Sequence, residues 1–557
     1  NVWNEDADYN NWVRWTTFPE RLEDNGISWK VYQNELSVGV GFDGDEDAWL
    51  ANFGDNPLEY FKQYQVKLSA AYIANIPKAL AQLAEAIKKE EQSLSSLPAG
   101  SKEAEQSNKR LAALKKSLAI TESDQKIYTR ERYNTLSQRE KNIHDKAFST
   151  NKNDPAYHQL STLKYKDGKT AREVKVPKGD VLHQFRTDVK SGQLPTVSWL
   201  VAPESFSDHP SSAWYGAWYI SEVMDILTQN PEVWKKTIFI LTYDENDGYF
   251  DHVPPFVAPN PNKAGTGKVS ESLNTRFDFV SSPAQQSNKE QVRESSVGLG
   301  YRVPLVVASP WSRGGYVCSE VFDHTSSLQF LEKFLSNKTG KKIEEPNISN
   351  WRRTVCGDLT SVFRPYNGEN IPSPAPLERN AFVEGIHKAK FKAVPSNFKR
   401  LTPEEIAAIR QHPQQSPYMP VQEKGIRPSC PLPYELYSES RLSPDKKLVN
   451  IVMTAGNDLF GAASSGAPFN IYAPGVYKGE TAQARSYAVV AGEALKDSWT
   501  ISDFENGHYH LRVYGPNGFF REFRGSETDP PLDINVNYER RKTGKLEFTG
   551  NVLVNTR

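Results

Sequence analysis

The chain has 557 residues, and its 67 lysine and arginine residues nearly balance 68 aspartate and glutamate residues, which leaves a net charge of -1. A charge so close to neutral gives no support to recognition of nucleic acid or of an anionic membrane by bulk charge. The sequence contains no long apolar run, so we expect no membrane-spanning helix. A chain of this length is expected to fold into two or three domains.

The three cysteines, Cys318, Cys356 and Cys430, lie far apart and form no Cys-x-x-Cys pair. Their spacing fits neither a zinc ribbon nor a disulfide framework. The spacing is compatible with two states of the cysteines. In one state a disulfide leaves one thiol free, and in the other all three thiols are free. The first residues, 1–6, resemble neither a signal peptide nor an initiator methionine context, so we expect the chain to be a piece of a longer protein.

The first elements in chain order are short, and a long helical segment follows them. Residues 14–22 predict a helix start, and residues 28–32 predict a strand after a turn. Within residues 57–147, apolar side chains recur at i, i+3 and i+7, which predicts two long amphipathic helices. These side chains are Leu80, Leu83, Ile87, Leu111, Leu114 and Leu118. With a turn at 93–100, the segment is expected to form an inserted antiparallel hairpin, a solvated arm without chemistry.

From about residue 178 the pattern alternates between strands and helices. The predicted strands are 195–202, 237–243 and 303–309, and the predicted helices are 215–229 and 325–335. Alternation of this kind predicts an α/β fold whose parallel sheet is covered by helices on both faces. The polar stretch 254–300 is typical of a functional or mobile loop.

The last third of the chain changes from a connector to a β-rich region. Residues 364–446 are rich in proline and predict a surface connector with one helix at 403–411. The predicted strands that follow are 448–452, 467–473, 486–491, 498–502, 509–514 and 546–554. Short, evenly spaced strands predict a β-sandwich over 447–557. The expected domains are therefore 1–363, 364–446 and 447–557.

The most informative stretch is the strand 237–243, which ends at Asp244 and Glu245. Its β-branched and aromatic residues predict a strand buried on both faces, as in a parallel sheet. Ligands bind outside the carboxyl ends of strands in open α/β sheets. The two carboxylates are thus candidate ligands for a hard divalent cation beside a phosphate. The alternative is an acidic surface turn without chemistry. We call residues 243–253 the carboxylate loop.

A histidine candidate follows the predicted strand 195–202, where His209 lies in an Asp-His-Pro loop. A histidine there is a candidate to donate a hydrogen bond to a phosphoryl oxygen or to protonate a leaving alkoxide. A solvated loop histidine is the alternative. Gly-x-Ser-x-Gly and P-loop motifs are missing from the sequence, and no Gly-x-Gly-x-x-Gly motif lies at a predicted strand–helix junction, so serine-hydrolase and nucleotide-binding functions lack their signatures.

Three further candidates accompany this set. Asp247 and His252 lie on the carboxylate loop, and His252 is a candidate to orient a ligand rather than to bind a metal itself. His324 precedes a predicted helix and is a candidate to point into the same site. Its neighbours Asp323 and Thr325 favour capping of that helix over catalysis.

Several long motifs occur in a fixed order along the chain. They cover residues 194–203, 207–210, 242–253, 302–311, 321–326, 351–353, 356–359, 425–434 and 513–523. In these motifs the chain resembles the bacterial phosphocholine-specific phospholipase C family of the non-haemolytic type. That family is related to acid phosphatases within the alkaline-phosphatase-like superfamily. The last two motifs are absent from plain acid phosphatases and favour phospholipase C.

The resemblance implies that Asp244 and Glu245 hold one divalent metal ion, either Ca²⁺, Mg²⁺ or Mn²⁺, and that His209 contacts the transferred phosphoryl group. It also implies an alkaline-phosphatase-like sheet, a C-terminal β domain, and export to the periplasm or the medium. Family members carry a Glu-Asn metal-binding pair and the hydroxyl nucleophile in an N-terminal part, and commonly two C-terminal β repeats. This sequence matches neither the N-terminal part nor a second repeat, so we expect little turnover from the chain alone.

The function that the resemblance implies is hydrolysis of phosphatidylcholine-type lipids to diacylglycerol and phosphocholine. A hydroxyl would attack phosphorus in line, next to a metal ion. The expected partners are a choline phospholipid and the lipid surface that presents it, with no nucleic acid. Two alternatives stay open. One is a phosphomonoesterase on the same scaffold, and the other is a module that binds a partner or an envelope surface and has a vestigial site.

Overall fold

The computed structural model describes residues 9, 12–98, 100–280, 294–368, 372–421 and 423–530, and the backbone of 532–538 and 546–552. The helices are α1 Phe18–Asp24, α2 Asp45–Leu50, α3 Ala70–Ser95, α4 Lys102–Ile127, α5 Arg130–Asn134, α6 Gln138–Ala147, α7 His183–Lys190, α8 Gly216–Thr228, α9 Pro231–Trp234, α10 His324–Thr339, α11 Asn350–Val355, α12 Arg379–His387 and α13 Pro403–Gln411. The strands are β1 Trp29–Tyr32, β2 Leu160–Asp167, β3 Thr170–Pro177, β4 Val197–Leu200, β5 Phe239–Thr242, β6 Gly267–Val269, β7 Phe279–Val280, β8 Ser295–Ser296, β9 Leu305–Ala308, β10 Leu436–Leu442, β11 Leu448–Ala455, β12 Ala467–Tyr477, β13 Glu480–Val489, β14 Glu493–Thr500, β15 His508–Tyr514, β16 Phe520–Ser526, β17 Leu532–Tyr538 and β18 Leu546–Val552.

These elements divide into two compact units. The N-terminal unit comprises Val2–Thr237 and Pro372–Glu423, and the C-terminal unit comprises Ile238–Ile371 and Lys424–Arg557. The fold is therefore a mixed α/β structure with a strand-rich C-terminal region, as the sequence predicts. Across the residues that the structure describes, no helix combines the length and the apolar character that a membrane crossing requires. The domain boundaries at 363/364 and 446/447 stay predictions.

The N-terminal unit contains a parallel strand pair. β1 pairs in parallel with β4, with Trp29 opposite Val197 and Tyr32 opposite Leu200. Trp29, Val31 and Tyr32 are buried, and burial of these three side chains favours the strand although Lys30 is charged. The helix before β1 begins at a capping box in which Thr17 is the N-cap and Glu20 reaches back to the Thr17 amide. Such a cap satisfies two amides that the first helical turn leaves unpaired.

The predicted helical hairpin is confirmed as α3 and α4, two helices of 26 residues each. The two helices are cross-linked by polar contacts, since the Ser107 hydroxyl donates to Glu90 at 2.7 Å. At its base, Lys67 forms a buried ion pair with Asp124 at 2.8 Å. The Tyr72 hydroxyl also donates to Asp124, at 2.6 Å. A buried ion pair with a second donor fixes the base of the hairpin, because either charge alone would be costly to bury.

The C-terminal unit contains two facing sheets. One has the strand order β10-β11-β14, and the other has the order β16-β15-β12-β13-β6. Inward side chains of both sheets form one apolar core, which includes Ile451, Met453, Phe469, Trp499 and Leu511. Alternation of buried and partly exposed residues along β11 produces this face. β10 lies within residues 364–446, where the sequence predicts a connector, and residues 553–554 of the last predicted strand lie outside the described residues.

The short strand β6 is an unusual member of the larger sheet. It comes from much earlier in the chain and pairs in parallel with β13, with Gly267 opposite Ser486. A Cβ at position 267 would lie 1.7 Å from the Ser486 carbonyl oxygen, so only glycine fits there. Lys268 forms an ion pair with Asp497 of β14 at 3.0 Å. Asp497 also accepts hydrogen bonds from Arg485 and Tyr487.

The prediction for the environment of β5, the strand before Asp244, is wrong. β5 is only partly buried and Thr242 is exposed, whereas the sequence predicts burial on both faces. β5 pairs with β9 in antiparallel fashion, whereas the sequence predicts a parallel sheet. Parallel neighbours need a crossover, which is usually a helix, and the described residues between β5 and β9 contain no α-helix. An apolar run carries no information about strand direction, so this pairing was not readable from the sequence.

The N-terminal unit also contains a buried carboxyl group that predicts a pH-dependent stability. Glu59 accepts hydrogen bonds from Tyr9 at 2.9 Å and Asn52 at 2.7 Å, and burial raises its pKa from 4.5 to about 7. The folded chain therefore holds this proton more tightly than the unfolded chain does. Its contribution to the free energy of unfolding is complete below pH 4.5 and is lost as the pH rises through about 7.

We expect Glu59→Gln to flatten this part of the pH profile, because glutamine keeps a hydrogen-bonding group and has no proton to lose. Urea unfolding of both proteins, from about pH 4.5 to above pH 7, measures the difference. A variant whose stability declines over this range as steeply as that of the parent protein would contradict the assignment to Glu59.

Candidate functional site

The carboxylate loop begins directly after β5. Asp244 and Glu245 are both exposed there. A tight turn follows, in which the Tyr249 amide donates to the Asn246 carbonyl at 2.7 Å. Asp247 and Gly248 adopt φ values of 51° and 75°, the left-handed region that Asp and Gly tolerate best. Asp247 therefore forms the turn, and the turn presents Asp244 and Glu245 at its start.

The far end of the loop is held by Asp251. Its carboxylate forms an ion pair with Arg302, with a second contact from Nη2 at 3.0 Å. The hydrogen bond from Arg302 lowers the pKa of Asp251 to about 2. His252 Nδ1 lies 3.0 Å from the same carboxylate, while the His252 side chain is 88% exposed. The structure thus places His252 at the surface beside its neighbour.

The structure brings His324 to the start of the carboxylate loop. His324 is the first residue of α10, and its Nε2 donates to the Tyr243 carbonyl at 2.8 Å. Tyr243 immediately precedes Asp244, so this contact joins the N-terminus of α10 to the candidate ligands. The predicted cap is confirmed, because the Asp323 carboxylate accepts from the Thr325 amide at 2.9 Å and the Asp323 amide donates to the Ser326 hydroxyl at 3.1 Å.

A partly buried arginine supports this cap, and sequence reasoning missed it. Arg352 donates to Asp323 at 2.5 Å and to Asp278 at 2.8 Å, and its remaining terminal nitrogen donates to the Gly298 carbonyl at 2.9 Å. Asp278 also accepts from the Ser349 hydroxyl at 2.6 Å. Arg352 therefore neutralises two buried carboxylates and fixes the residue that precedes His324. Its only signal in the sequence was membership of a Trp-Arg-Arg motif.

His209 lies in the N-terminal unit, in a loop that returns to the start of α8. Asp208 in this loop has a φ of 64°, and its carboxylate accepts from the Gly216 amide at 2.8 Å. A Cβ at position 216 would lie 2.7 Å from the Phe206 carbonyl oxygen, so glycine permits this close approach. The His209 ring packs against the edge of Phe53, with 4.9 Å between ring centroids. The loop is therefore held on both sides of His209.

A short polar chain orients the ring of His209. Its Nδ1 lies 2.8 Å from the Ser211 hydroxyl, which donates to Glu204 at 3.1 Å. A carboxylate can only accept, so the Ser211 hydroxyl donates to Glu204 and its oxygen accepts a hydrogen bond from Nδ1–H of His209. A contact of 3.4 Å between the Ser211 amide and Nδ1 would need the tautomer without a proton on Nδ1. We assign the tautomer from the shorter contact, 2.8 Å, between Nδ1 and the Ser211 hydroxyl. Nε2 is then the ring nitrogen that this polar chain leaves free.

The candidate residues are thus divided between the two units. Asp244, Glu245 and His324 belong to the C-terminal unit, and His209 belongs to the N-terminal unit. Their meeting in one active site stays a prediction. In the described ranges, no group of three or more His, Cys, Asp or Glu side chains is arranged to hold a metal ion. Two adjacent carboxylates fit the oxygen donors that a hard divalent cation prefers, but they supply only part of its shell.

Comparison with known proteins identifies the family. Residues 1–101 and 100–336 match the Phosphoesterase family, and the chain belongs to that family. Residues 428–526 match a second description, the C-terminal domain of bacterial phospholipase C. The first match contains the carboxylate loop and the His209 loop, and the second contains β10 to β16 of the two facing sheets.

Individual relatives agree with these matches. The chain is 32% identical over 549 residues to the non-hemolytic phospholipase C of Burkholderia pseudomallei, covering 96% of this chain and 58% of that protein. It is 32% identical over 534 residues to the non-hemolytic phospholipase C of Pseudomonas aeruginosa, covering 94% and 55%. It is 36% identical over 388 residues to the hemolytic phospholipase C of that organism, covering 66% and 48%. The chain spans about half the length of the curated relatives it matches.

Proposed function

We propose that the protein is a phospholipase C that hydrolyses phosphatidylcholine-type lipids to diacylglycerol and phosphocholine. The observation that carries the proposal is the order of two matches in one chain, a phosphoesterase region followed by a bacterial phospholipase C C-terminal domain. The finer features belong to the same proposal. They are an alkaline-phosphatase-like sheet, a choline head group, a lipid surface as the place of action, and a secreted or periplasmic location.

In this mechanism Asp244 and Glu245 hold a divalent cation, completed by ligands from elsewhere in the protein. Both side chains are exposed at the end of β5, and both supply the oxygen donors that Ca²⁺, Mg²⁺ or Mn²⁺ prefers. When bound, such an ion offsets the negative charge on the phosphoryl oxygens. His324 stabilises the start of the loop through the Tyr243 carbonyl.

His209 supplies the proton in the proposed reaction. The Ser211 hydroxyl accepts a hydrogen bond from Nδ1–H, so Nε2 is the nitrogen that carries the proton to be transferred. Phe53 and Ser211 restrict the rotation of the ring. Less conformational entropy is therefore lost when the ring is positioned against a leaving group. Transfer of that proton to the diacylglycerol oxygen would release the product as a neutral alcohol.

The experiment compares two chromogenic esters, 4-nitrophenyl phosphocholine and 4-nitrophenyl phosphate, in this chain and in the whole protein. We expect the whole protein to prefer the phosphocholine diester and to release phosphocholine from phosphatidylcholine. Preference for the monoester would favour a phosphomonoesterase. Absence of turnover on both by the whole protein would favour a binding module.

A second prediction concerns the metal ligands. We expect the double substitution Asp244→Asn and Glu245→Gln to abolish saturable Mn²⁺ binding by the whole protein, because amides keep the shape of the side chains and remove both negative charges. Isothermal titration measures this directly. The matched control is Asp247→Asn on the same loop, since asparagine tolerates the left-handed φ of 51° that this turn needs. Equal Mn²⁺ affinity in the double variant and the control would overturn the assignment.

A further inference from the structure

Two of the three cysteines lie side by side in the C-terminal unit. Val317 pairs in parallel with Ser429. The Val317 amide donates to the Pro428 carbonyl at 2.9 Å, and the Cys430 amide donates to the Val317 carbonyl at 2.9 Å. These two bonds fix the register, so Cys318 and Cys430, each one residue further on, are neighbours across the pair.

This register suits a covalent link. Neighbouring strands lie about 4.8 Å apart, and disulfides join Cα atoms at about 4.4–6.8 Å. Residues opposite each other in a parallel pair project to the same side of it. Burial, together with the nearby Cys318, raises the pKa of the Cys430 thiol. The third cysteine, Cys356, is buried and packs in an apolar cluster with Trp351 and Val355.

We propose that Cys318 and Cys430 form a disulfide in the oxidised protein, and that Cys356 stays a free thiol. The bond would join the segment that leads into α10 to the segment that leads into β10. It would close a loop around residues 319–429, which limits the conformations of the unfolded chain. The inference is independent of the proposed catalytic function.

The oxidation takes place by exchange with a small disulfide such as oxidised glutathione. Cys318, the less buried of the pair, attacks one sulfur of glutathione disulfide as a thiolate and releases one reduced glutathione. The Cys430 thiolate then attacks the Cys318 sulfur of the mixed disulfide and releases the second. Two thiol protons and two electrons leave the protein, and one glutathione disulfide becomes two thiols.

The test counts thiols in the denatured chain after incubation with oxidised glutathione and removal of the reagent. We expect one titratable thiol, a mass lower by two hydrogen atoms than that of the reduced chain, and a proteolytic fragment in which Cys318 is linked to Cys430. Dithiothreitol should restore three thiols. Three thiols after oxidation, or glutathione retained on both cysteines, would overturn the proposal.

Matched variants separate this pair from the other pairings. Cys356→Ser should leave no titratable thiol after oxidation and keep the linked fragment. Cys318→Ser should lose the linked fragment and keep Cys356 and Cys430 in reduced or glutathione-bound form. The oxidised parent should also melt several degrees above its reduced form, and Cys318→Ser should show no such difference. A linked fragment that contains Cys356 would contradict the inference even if the thiol count agreed.

Discussion

Replacing His209 with asparagine in the whole protein is expected to lower the proposed turnover of phosphatidylcholine by about 10²- to 10⁴-fold, the range that general acid catalysis contributes. Asparagine places an amide nitrogen near the position of Nδ1, so it keeps a donor for the Ser211 hydroxyl that lies 2.8 Å away. It removes Nε2, the atom proposed to carry the transferred proton. The loss therefore reports on proton transfer rather than on collapse of the loop.

The choice of leaving group makes this measurement specific. Nitrophenolate leaves without protonation, whereas diacylglycerol is a poor leaving group that needs a proton. We expect His209→Asn to reduce phosphatidylcholine hydrolysis far more than hydrolysis of 4-nitrophenyl phosphocholine. Equal losses on both substrates would assign His209 to phosphoryl contact instead. Unchanged turnover on both would remove it from the active site.

The accompanying control is Ser211→Ala. This variant keeps Nε2 and removes the hydroxyl that accepts a hydrogen bond from Nδ1–H and donates to Glu204 at 3.1 Å. We expect a smaller loss of turnover than in His209→Asn, because the ring keeps Nε2 but is free to exchange tautomers. A loss in Ser211→Ala as large as that in His209→Asn would show that the effect does not depend on Nε2.

Arg352→Met is expected to lower the free energy of unfolding by about 3–5 kcal/mol, the usual cost of removing one partner of a buried ion pair. Methionine matches much of the apolar length of arginine, so the change isolates the loss of charge. The side chains of Asp278 and Asp323 are 3% and 4% exposed, and without Arg352 both negative charges would be buried without the cation that neutralises them. Urea denaturation followed by tryptophan fluorescence provides the measurement.

Lys333→Met supplies the comparison for this prediction. Lys333 forms an ion pair with Asp358 at 3.0 Å, with side-chain exposures of 54% and 30%. Exposed pairs of this kind contribute about 0–1 kcal/mol, so this variant should unfold close to the parent protein. If the two variants were equally stable, the interpretation of Arg352 as a partly buried neutralising residue would be incorrect.

Local patterns were readable from the sequence because they depend on near neighbours in the chain. The apolar stripe of the hairpin and the cap at Asp323 follow from periodicities of three to four residues, and the structure confirms both. The β5 strand shows where such reasoning ends. Its composition predicted a strand, but the direction and number of its partners depend on residues far away in the chain.

The same limit applies to the candidate site, where short motifs were readable from the sequence and long-range contacts were not. The sequence pointed to Asp244, Glu245 and His209 through motifs of a few residues each. It gave no sign that Arg352 would bridge Asp278 and Asp323, which lie 74 and 29 positions away. Contacts of that range arise only when the chain is folded, since nothing in the local spacing pairs one particular arginine with two particular aspartates.

The strand β6 has a practical consequence for any attempt to isolate the region that matches the phospholipase C C-terminal domain. A fragment that starts at residue 428 would lack β6. The backbone groups of β13 that pair with β6 would then be unpaired, and β13 would become an edge strand. Exposed edge strands pair with strands of other molecules and so promote self-association. In this fragment, Asp497 would also lose its ion pair with Lys268. Fusing residues 267–269 ahead of the fragment through a flexible tether should keep it monodisperse.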